Sequence, residues 1–265
     1  MSNVAEAVRS STIITRRNLL HIWREPGALI SHLCTSIMFV VLFAFVIGGG
    51  LGAAYPEYLI PGMLGQNAVF VNIYTTVGLA YDMEKGIVDR FRSLPISRAA
   101  VLFGRTSSDL FATAMNLAIL SLCGLLIGWR VRTDVFSAIG AYGLLLLFAF
   151  AISWAGAYIG LLCRRVELAQ SAGIIWVFPF TFMSSALVGS QYMLQPFKFI
   201  AEWSPLTALC DTIRDLFGNP YPEDFPKGSS WAAHNSALYC TLWCLGLLAV
   251  FVPLTVRRYR KLSGS

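Results

Sequence analysis

Six stretches of this chain contain no Asp, Glu, Lys or Arg: Pro26–Pro56, Tyr58–Tyr81, Leu110–Trp129, Val135–Cys163, Leu168–Phe197 and Asn235–Val256. Each runs for 20 or more residues, enough to cross a hydrocarbon layer of roughly 30 Å as a helix. The scarcity of charge excludes water as the solvent for most of the chain. Charged residues are 13 % of the sequence and hydrophobic ones 56 %, whereas about a quarter of a soluble domain is charged. The longest polar stretches are the first 25 residues, Asp82–Asp109 and Lys198–His234. None is long enough to build a core of its own, so an appended soluble catalytic domain is excluded.

Other absences narrow the function. No Gly-x-x-x-x-Gly-Lys-Ser/Thr run is present, so the chain has no loop of that kind for binding ATP. The six cysteines, Cys34, Cys123, Cys163, Cys210, Cys240 and Cys244, lack paired metal-ligand spacing and read as small apolar residues of the spans. No Asp, Glu, Lys or Arg falls in the middle of an expected span, which argues against a proton relay. His32, early in the first span, is the one titratable candidate there, and a packing or interfacial histidine is its simpler reading. About 28 residues with Glu6 and Glu25 precede an apolar run too long for a signal peptide, so the first span is expected to stay in the mature protein.

What is present orders the chain. The sequence predicts an all-α integral membrane protein forming a single transmembrane domain over 1–265. Its six spans are expected at about 28–48, 58–80, 109–129, 136–162, 168–194 and 236–256. Fifteen of the 20 Lys and Arg lie before span 1, between spans 2 and 3, between spans 4 and 5, or in the tail. The positive-inside rule then places both termini in the cytoplasm of an inner (plasma) membrane protein. Residues 1–25 read as an amphipathic helix on the inner leaflet. Val4, Val8, Thr15, Leu19 and Ile22 share one face and Arg9, Arg16, Arg17 and Arg24 the neighbouring arc. Gly48–Gly52 reads as a flexible turn rather than a phosphate cradle. The segment 195–234 is too apolar for a plain loop and too short and polar for a span, so it predicts short external helices packed against protein.

Two sets of residues point to chemistry. The stretch from Tyr81 to Arg98, at the start of the loop 82–109, alternates opposite charges with apolar residues. As a short helix it sets Ile87, Phe91 and Leu94 on one face. Joined to span 2, it is either a peg that takes a push from a soluble partner or an ordinary loop whose arginines meet headgroups. The uncharged polar residues Gln66, Asn67, Asn72, Asn116, Ser184, Ser185 and Gln191 each need a partner in hydrocarbon, as interhelical glue or as contacts to a substrate. Phe178, Phe180, Phe182 and Met183 in span 5 offer adaptable contact area or pack against lipid. Pro179 removes a backbone hydrogen bond there and marks either a joint or a static kink.

The stretch Glu84-Lys85-Gly86-Ile87-Val88-Asp89-Arg90-Phe91-Arg92-Ser93-Leu94-Pro95 closely resembles the cytoplasmic loop of ABC type-2 exporter permeases of the daunorubicin-resistance kind. The resemblance extends to the N-terminal amphipathic helix, the six spans, and Trp203-Ser204-Pro205-Leu206-Thr207 followed by Arg214. It implies a permease that engages a separate ATP-hydrolysing subunit through a coupling helix formed by Glu84, Lys85, Gly86, Asp89, Arg90, Phe91, Arg92, Leu94 and Pro95. It also implies a second permease copy or paralogue, with a substrate route along spans 2 and 5. Gln66, Asn67, Asn72, Phe178, Pro179, Phe182 and Ser185 are then the candidates to face substrate. No catalytic or metal site is expected, and ATP with its magnesium is expected on the partner chain. Nucleic acid is not an expected partner; membrane lipids are.

The expected cargo is a hydrophobic or amphipathic drug or lipid-like compound moved out of the cell, with lipid-linked glycan export as the alternative. An integral-membrane lipid-modifying enzyme is the rival from another class, and the sequence offers no convergent His/Asp/Glu set for it. A secondary transporter built from inverted repeats would need matching broken helices in its two halves, and the second half of that pattern is missing.

Overall fold

The computed structural model describes residues 26–47, 55–86, 98–163, 165–219, 221–222 and 226–262. Among these the chain is built from helices and turns with no strand. Residues 1–25, Gly48–Gly52 and the His32 side chain lie outside the described residues. Helix α1 runs over Pro26–Val41 and continues as a π-helix over Leu42–Ile47. It is followed by α2 (Tyr55–Glu84), α3 (Arg98–Ile127), α4 (Val135–Gly160) and α5 (Val166–Phe182). Three short helices come next, α6 (Phe197–Glu202), α7 (Pro205–Phe217) and α8 (Trp231–His234), and α9 (Ser236–Leu262) ends the chain.

Among the described residues three helical segments, Val101–Ile127, Val135–Gly160 and Ser236–Lys261, are long and apolar enough to cross a membrane. Cys34–Val46 and Val166–Phe182 are apolar but shorter. Helix α2 is 30 residues long, and its amides, threonines and acidic ends dilute its hydropathy. Its neighbours are α3, α4, α5 and α7, so protein rather than lipid covers much of its surface and the polar residues are tolerated. The bundle has a basic end, where α2 stops, α3 starts and Arg257–Lys261 close α9, and a loop end that holds α6 to α8.

Local sequence explains the boundaries. Gly86 takes φ +63°, the left-handed conformation that stops a helix cheaply only in glycine, and its N–H donates to the Met83 carbonyl at 3.1 Å. Asp134 caps α4 by accepting from the Phe136 and Ser137 backbone N–H groups at 3.1 and 3.3 Å. Those bonds, led by that of the Ser137 hydroxyl, hold its carboxyl below the usual range. Helix α7 starts with Pro205 and ends at Gly218 with φ +68°.

The fifth span, expected to reach residue 194, stops as a helix at Phe182. Pro179 lies in its last turn, where Met183 N–H still reaches the Pro179 carbonyl at 2.8 Å. Beyond it the Ser184 hydroxyl donates to the Thr181 carbonyl at 2.6 Å, and the chain turns back against α2. The segment 195–234 carries α6, α7 and α8, the short helices that its mixed composition predicts.

Helices α2 and α4 approach closely because α4 offers Gly156 and Gly160, a Gly-x-x-x-Gly pair. A Cβ at Gly156 would sit 2.7 Å from the Asn72 carbonyl oxygen, and one at Gly160 would sit 2.7 Å from that of Thr76.

Candidate functional site

Helix α2 has two faces of different construction. One carries Tyr58, Gly62, Gly65, Asn72 and Thr76, at helical spacing, and is knitted to α4, α7 and the turn after α5. Asn72 is fully buried; its amide donates to the Ile152 carbonyl at 3.2 Å and accepts from the Thr76 hydroxyl at 3.3 Å. Thr76 also donates to the Gly156 carbonyl at 3.0 Å.

At the loop end Arg214 of α7 is 1 % exposed. Its guanidinium lies 3.6 Å over the Tyr58 ring and donates to the carbonyls of Tyr58, Ser185 and Ala186 at 3.0–3.2 Å. Asp211 accepts from it at 3.2 Å. A planar fork with five donors suits such a cluster of carbonyls, as a lysine would not. Gly62 lets the turn come this close, since a Cβ there would fall 1.6 Å from the Ala186 carbonyl oxygen.

The other face of α2 carries Met63, Gln66, Asn67, Phe70, Ile73 and Tyr74 and lines a cavity of about 170 Å³. Ser36 and Phe39 of α1, Leu120 of α3, and Ile174 and Phe178 of α5 complete the wall. A polar ladder crosses its floor: Asn116 donates to the Asn67 amide oxygen at 2.9 Å, and Asn67 donates to the Ser36 hydroxyl at 3.0 Å. The ladder ties α1, α2 and α3 together, and among the described residues the wall has no charged side chain. Phe178 is 40 % exposed and lies 6.0 Å from Phe70 at 59°. It stacks on Phe182, itself 50 % exposed, at 6.0 Å and 20°.

Of the residues that the sequence nominates for a substrate route, the structure brings Gln66, Asn67 and Phe178 together in this cavity, with Phe182 stacked beside it. It places Asn72 on the opposite face of α2. Ser185 sits at the loop end, where its N–H donates to the Thr207 hydroxyl at 2.9 Å and its carbonyl accepts from the Tyr58 hydroxyl at 2.8 Å. Pro179 follows Phe178 without lining the cavity. Ser36, Phe39 and Phe70 enter the wall unannounced. The signal for Phe70 and Tyr74 was available, since they follow Gln66 by one and two helical turns.

At the basic end, Glu84, Lys85 and Gly86 of the coupling stretch are described; Asp89, Arg90, Phe91, Arg92, Leu94 and Pro95 lie outside the described residues. Glu84 reaches across to α5, where Val166 N–H donates to its carboxylate at 3.1 Å. Helix α5 has Arg165 at its start with no capping side chain of its own, so the neighbouring helix supplies the acceptor. Lys85 sits 5.6 Å over the Tyr81 ring. One turn deeper Arg105 of α3 pairs with Asp109 at 3.4 Å and Asp82 at 3.6 Å, and Asp109 accepts from the Thr75 hydroxyl at 2.7 Å. Gly78 makes the space: a Cβ there would overlap the Arg105 guanidinium at 1.6 Å.

Comparison with known proteins shows the family. Residues 10–217 match the model of the ABC-2 type transporter family. The chain is 30 % identical over 252 residues to the daunorubicin resistance ABC transporter permease protein DrrB1 of Streptomyces coeruleorubidus, covering 91 % of this chain and 85 % of that protein. It is 22 % identical over 242 residues to the putative transport permease ycf38 of Cyanophora paradoxa, covering 89 % and 80 %. With helices apolar enough to cross a bilayer and a family match over most of its length, the chain is an integral membrane permease that belongs to the ABC-2 type transporter family.

Proposed function

We propose that this permease is the membrane subunit of an ATP-driven exporter that moves hydrophobic or amphipathic compounds out of the cell. The observation that carries the reading is the cavity between α1, α2, α3 and α5, whose wall mixes aromatic rings with neutral polar groups and, among the described residues, contains no charge. Such a surface suits bulky molecules of low charge and offers a small ion no counter-charge. The relative from Streptomyces, by its name, serves daunorubicin resistance, a cargo class compatible with this wall.

In this reading the chain crosses the inner membrane six times with both termini in the cytoplasm, as the bias of 15 of 20 basic residues suggests. The basic end faces the cytoplasm and the loop end faces outward. A separate subunit binds and hydrolyses ATP with magnesium and presses on the loop that begins at Glu84–Gly86. A second permease copy or paralogue faces the exposed rings of α5, so that the cavity opens toward a shared route. Motion enters at the end of α2, whose Glu84 touches α5 and whose Asp82 touches Arg105 of α3. Both neighbours line the cavity.

Purification of the tagged chain from its host membrane, followed by assay of the recovered complex, tests the reading. An ATP-hydrolysing chain should copurify, and inside-out vesicles holding the complex should take up daunorubicin or other neutral and weakly charged amphiphiles only when ATP is added. Recovery without any ATPase activity, together with no ATP-dependent uptake across such a panel, would overturn it.

A further inference from the structure

Amides buried in a hydrocarbon environment find partners among neighbouring helices, and three of the four on α2 and α3 do. Asn67, Asn72 and Asn116 are held by the bonds described above. Gln66 is the fourth. It is 7 % exposed, it lines the cavity, and among the described residues its amide has no hydrogen-bond partner. A side chain that has two donors and an acceptor, lies on a packed helix and faces an otherwise largely apolar wall, is placed to bond something that enters.

The surroundings define what enters. Phe70 and Phe178 make a corner at 6.0 Å and 59°, and Phe39 of α1 lines the same cavity. A flat ring fits such a corner through offset or edge-to-face contacts. A dry cavity of roughly 150 Å³ accepts a benzene molecule, so about 170 Å³ suits one ring or two fused rings. A larger compound must leave the rest of itself outside. Among the described residues the wall has no cationic or anionic side chain to pair with an ionised group, which favours a neutral group in the part that is held.

We infer that this cavity takes a neutral one- or two-ring aromatic portion of the exported compound, and that Gln66 is its specificity-determining residue, hydrogen-bonding a hydroxyl or carbonyl on that ring. The inference rests on the export reading and adds a selection rule to it. A site with a buried amide to satisfy rejects an analogue that lacks the matching group more strongly than an apolar pocket rejects an extra one.

The test uses the purified permease with its ATPase subunit in lipid nanodiscs, with the fluorescent ring compound β-naphthol and its isostere β-methylnaphthalene as a competitor pair and with empty discs as the blank. The parent should hold β-naphthol about tenfold more tightly than the methyl analogue, the size of one hydrogen bond to a buried amide. Gln66→Leu, or the unbranched Gln66→Met should the leucine variant not reach the membrane, should bind both compounds with equal affinity, and Phe178→Ala should weaken both alike. A preference that survives in the Gln66 variants, or saturable binding of neither compound to the parent, would overturn the inference. The export reading would still stand in those cases if ATP-driven uptake of amphiphiles by the same complex persists, and it falls separately if that uptake is absent.

Discussion

The two faces of α2 have nearly the same polar content and opposite construction. On the face of Tyr58, Gly62, Asn72 and Thr76 every amide and hydroxyl is matched to a neighbour, and glycines on both sides bring backbones into contact. On the face of Gln66, Asn67 and Phe70 a cavity opens between the helix, α1 and α5, and one amide stays unmatched. The difference teaches that polarity within a membrane helix does not by itself mark a transport site; the proposed site is the face where packing leaves both a cavity and an unmatched amide.

Arg214→Leu should break the knitted face most severely. It removes one side chain that serves three backbone carbonyls and leaves Asp211 buried without its counter-ion, for a loss of roughly 3–5 kcal/mol. Expression in the membrane and the thermal unfolding midpoint of the purified protein measure this; normal folding of the variant would mean that the turn after α5 is held by something else. Asn72→Leu should cost less, about 1–2 kcal/mol for the Ile152 carbonyl that loses its donor. Detergent-solubilised thermal unfolding should show the drop.

Glu84→Ala should give the smallest effect on stability, well under 1 kcal/mol for an exposed contact at a helix end. Its sharper readout is coupling. ATP hydrolysis by the assembled complex should persist while transport per ATP falls, because Val166 of α5 loses its link to the helix that receives the push. Unchanged transport per ATP would remove this contact from the coupling path.

Much of this architecture is legible from the sequence. The uncharged runs announce α3, α4 and α9, and the mixed segment 195–234 announces α6 to α8, because length and hydropathy are local properties. The end of α5 is not legible, since Ser184–Gln195 is as free of charge as the helix before it and only the fold shows that its carbonyls turn to Arg214. Arg214 itself sits in a segment polar enough to pass for surface, while its burial depends on Gly62, some 150 residues earlier in the chain. Gln66 and Asn72 look alike in composition. They are six residues apart, about 240° around a helix, so the periodicity separates their faces, but it does not say which face is packed. That answer comes from Gly156 and Gly160 on α4.

Transport by Phe178→Ala and Asn72→Ala, compared per folded molecule over one panel of ring-containing amphiphiles, tests most directly the claim that the open face of α2 is the transport face. The account predicts that Phe178→Ala, which removes a half-exposed ring from the cavity wall, changes the rank order of compounds and lowers uptake of the aromatic ones about tenfold, at near-parental stability. It predicts that Asn72→Ala lowers the yield of folded protein and leaves the rank order as it was. An altered rank order with Asn72→Ala and a parental one with Phe178→Ala would contradict the account and move the route to the α2–α4 seam.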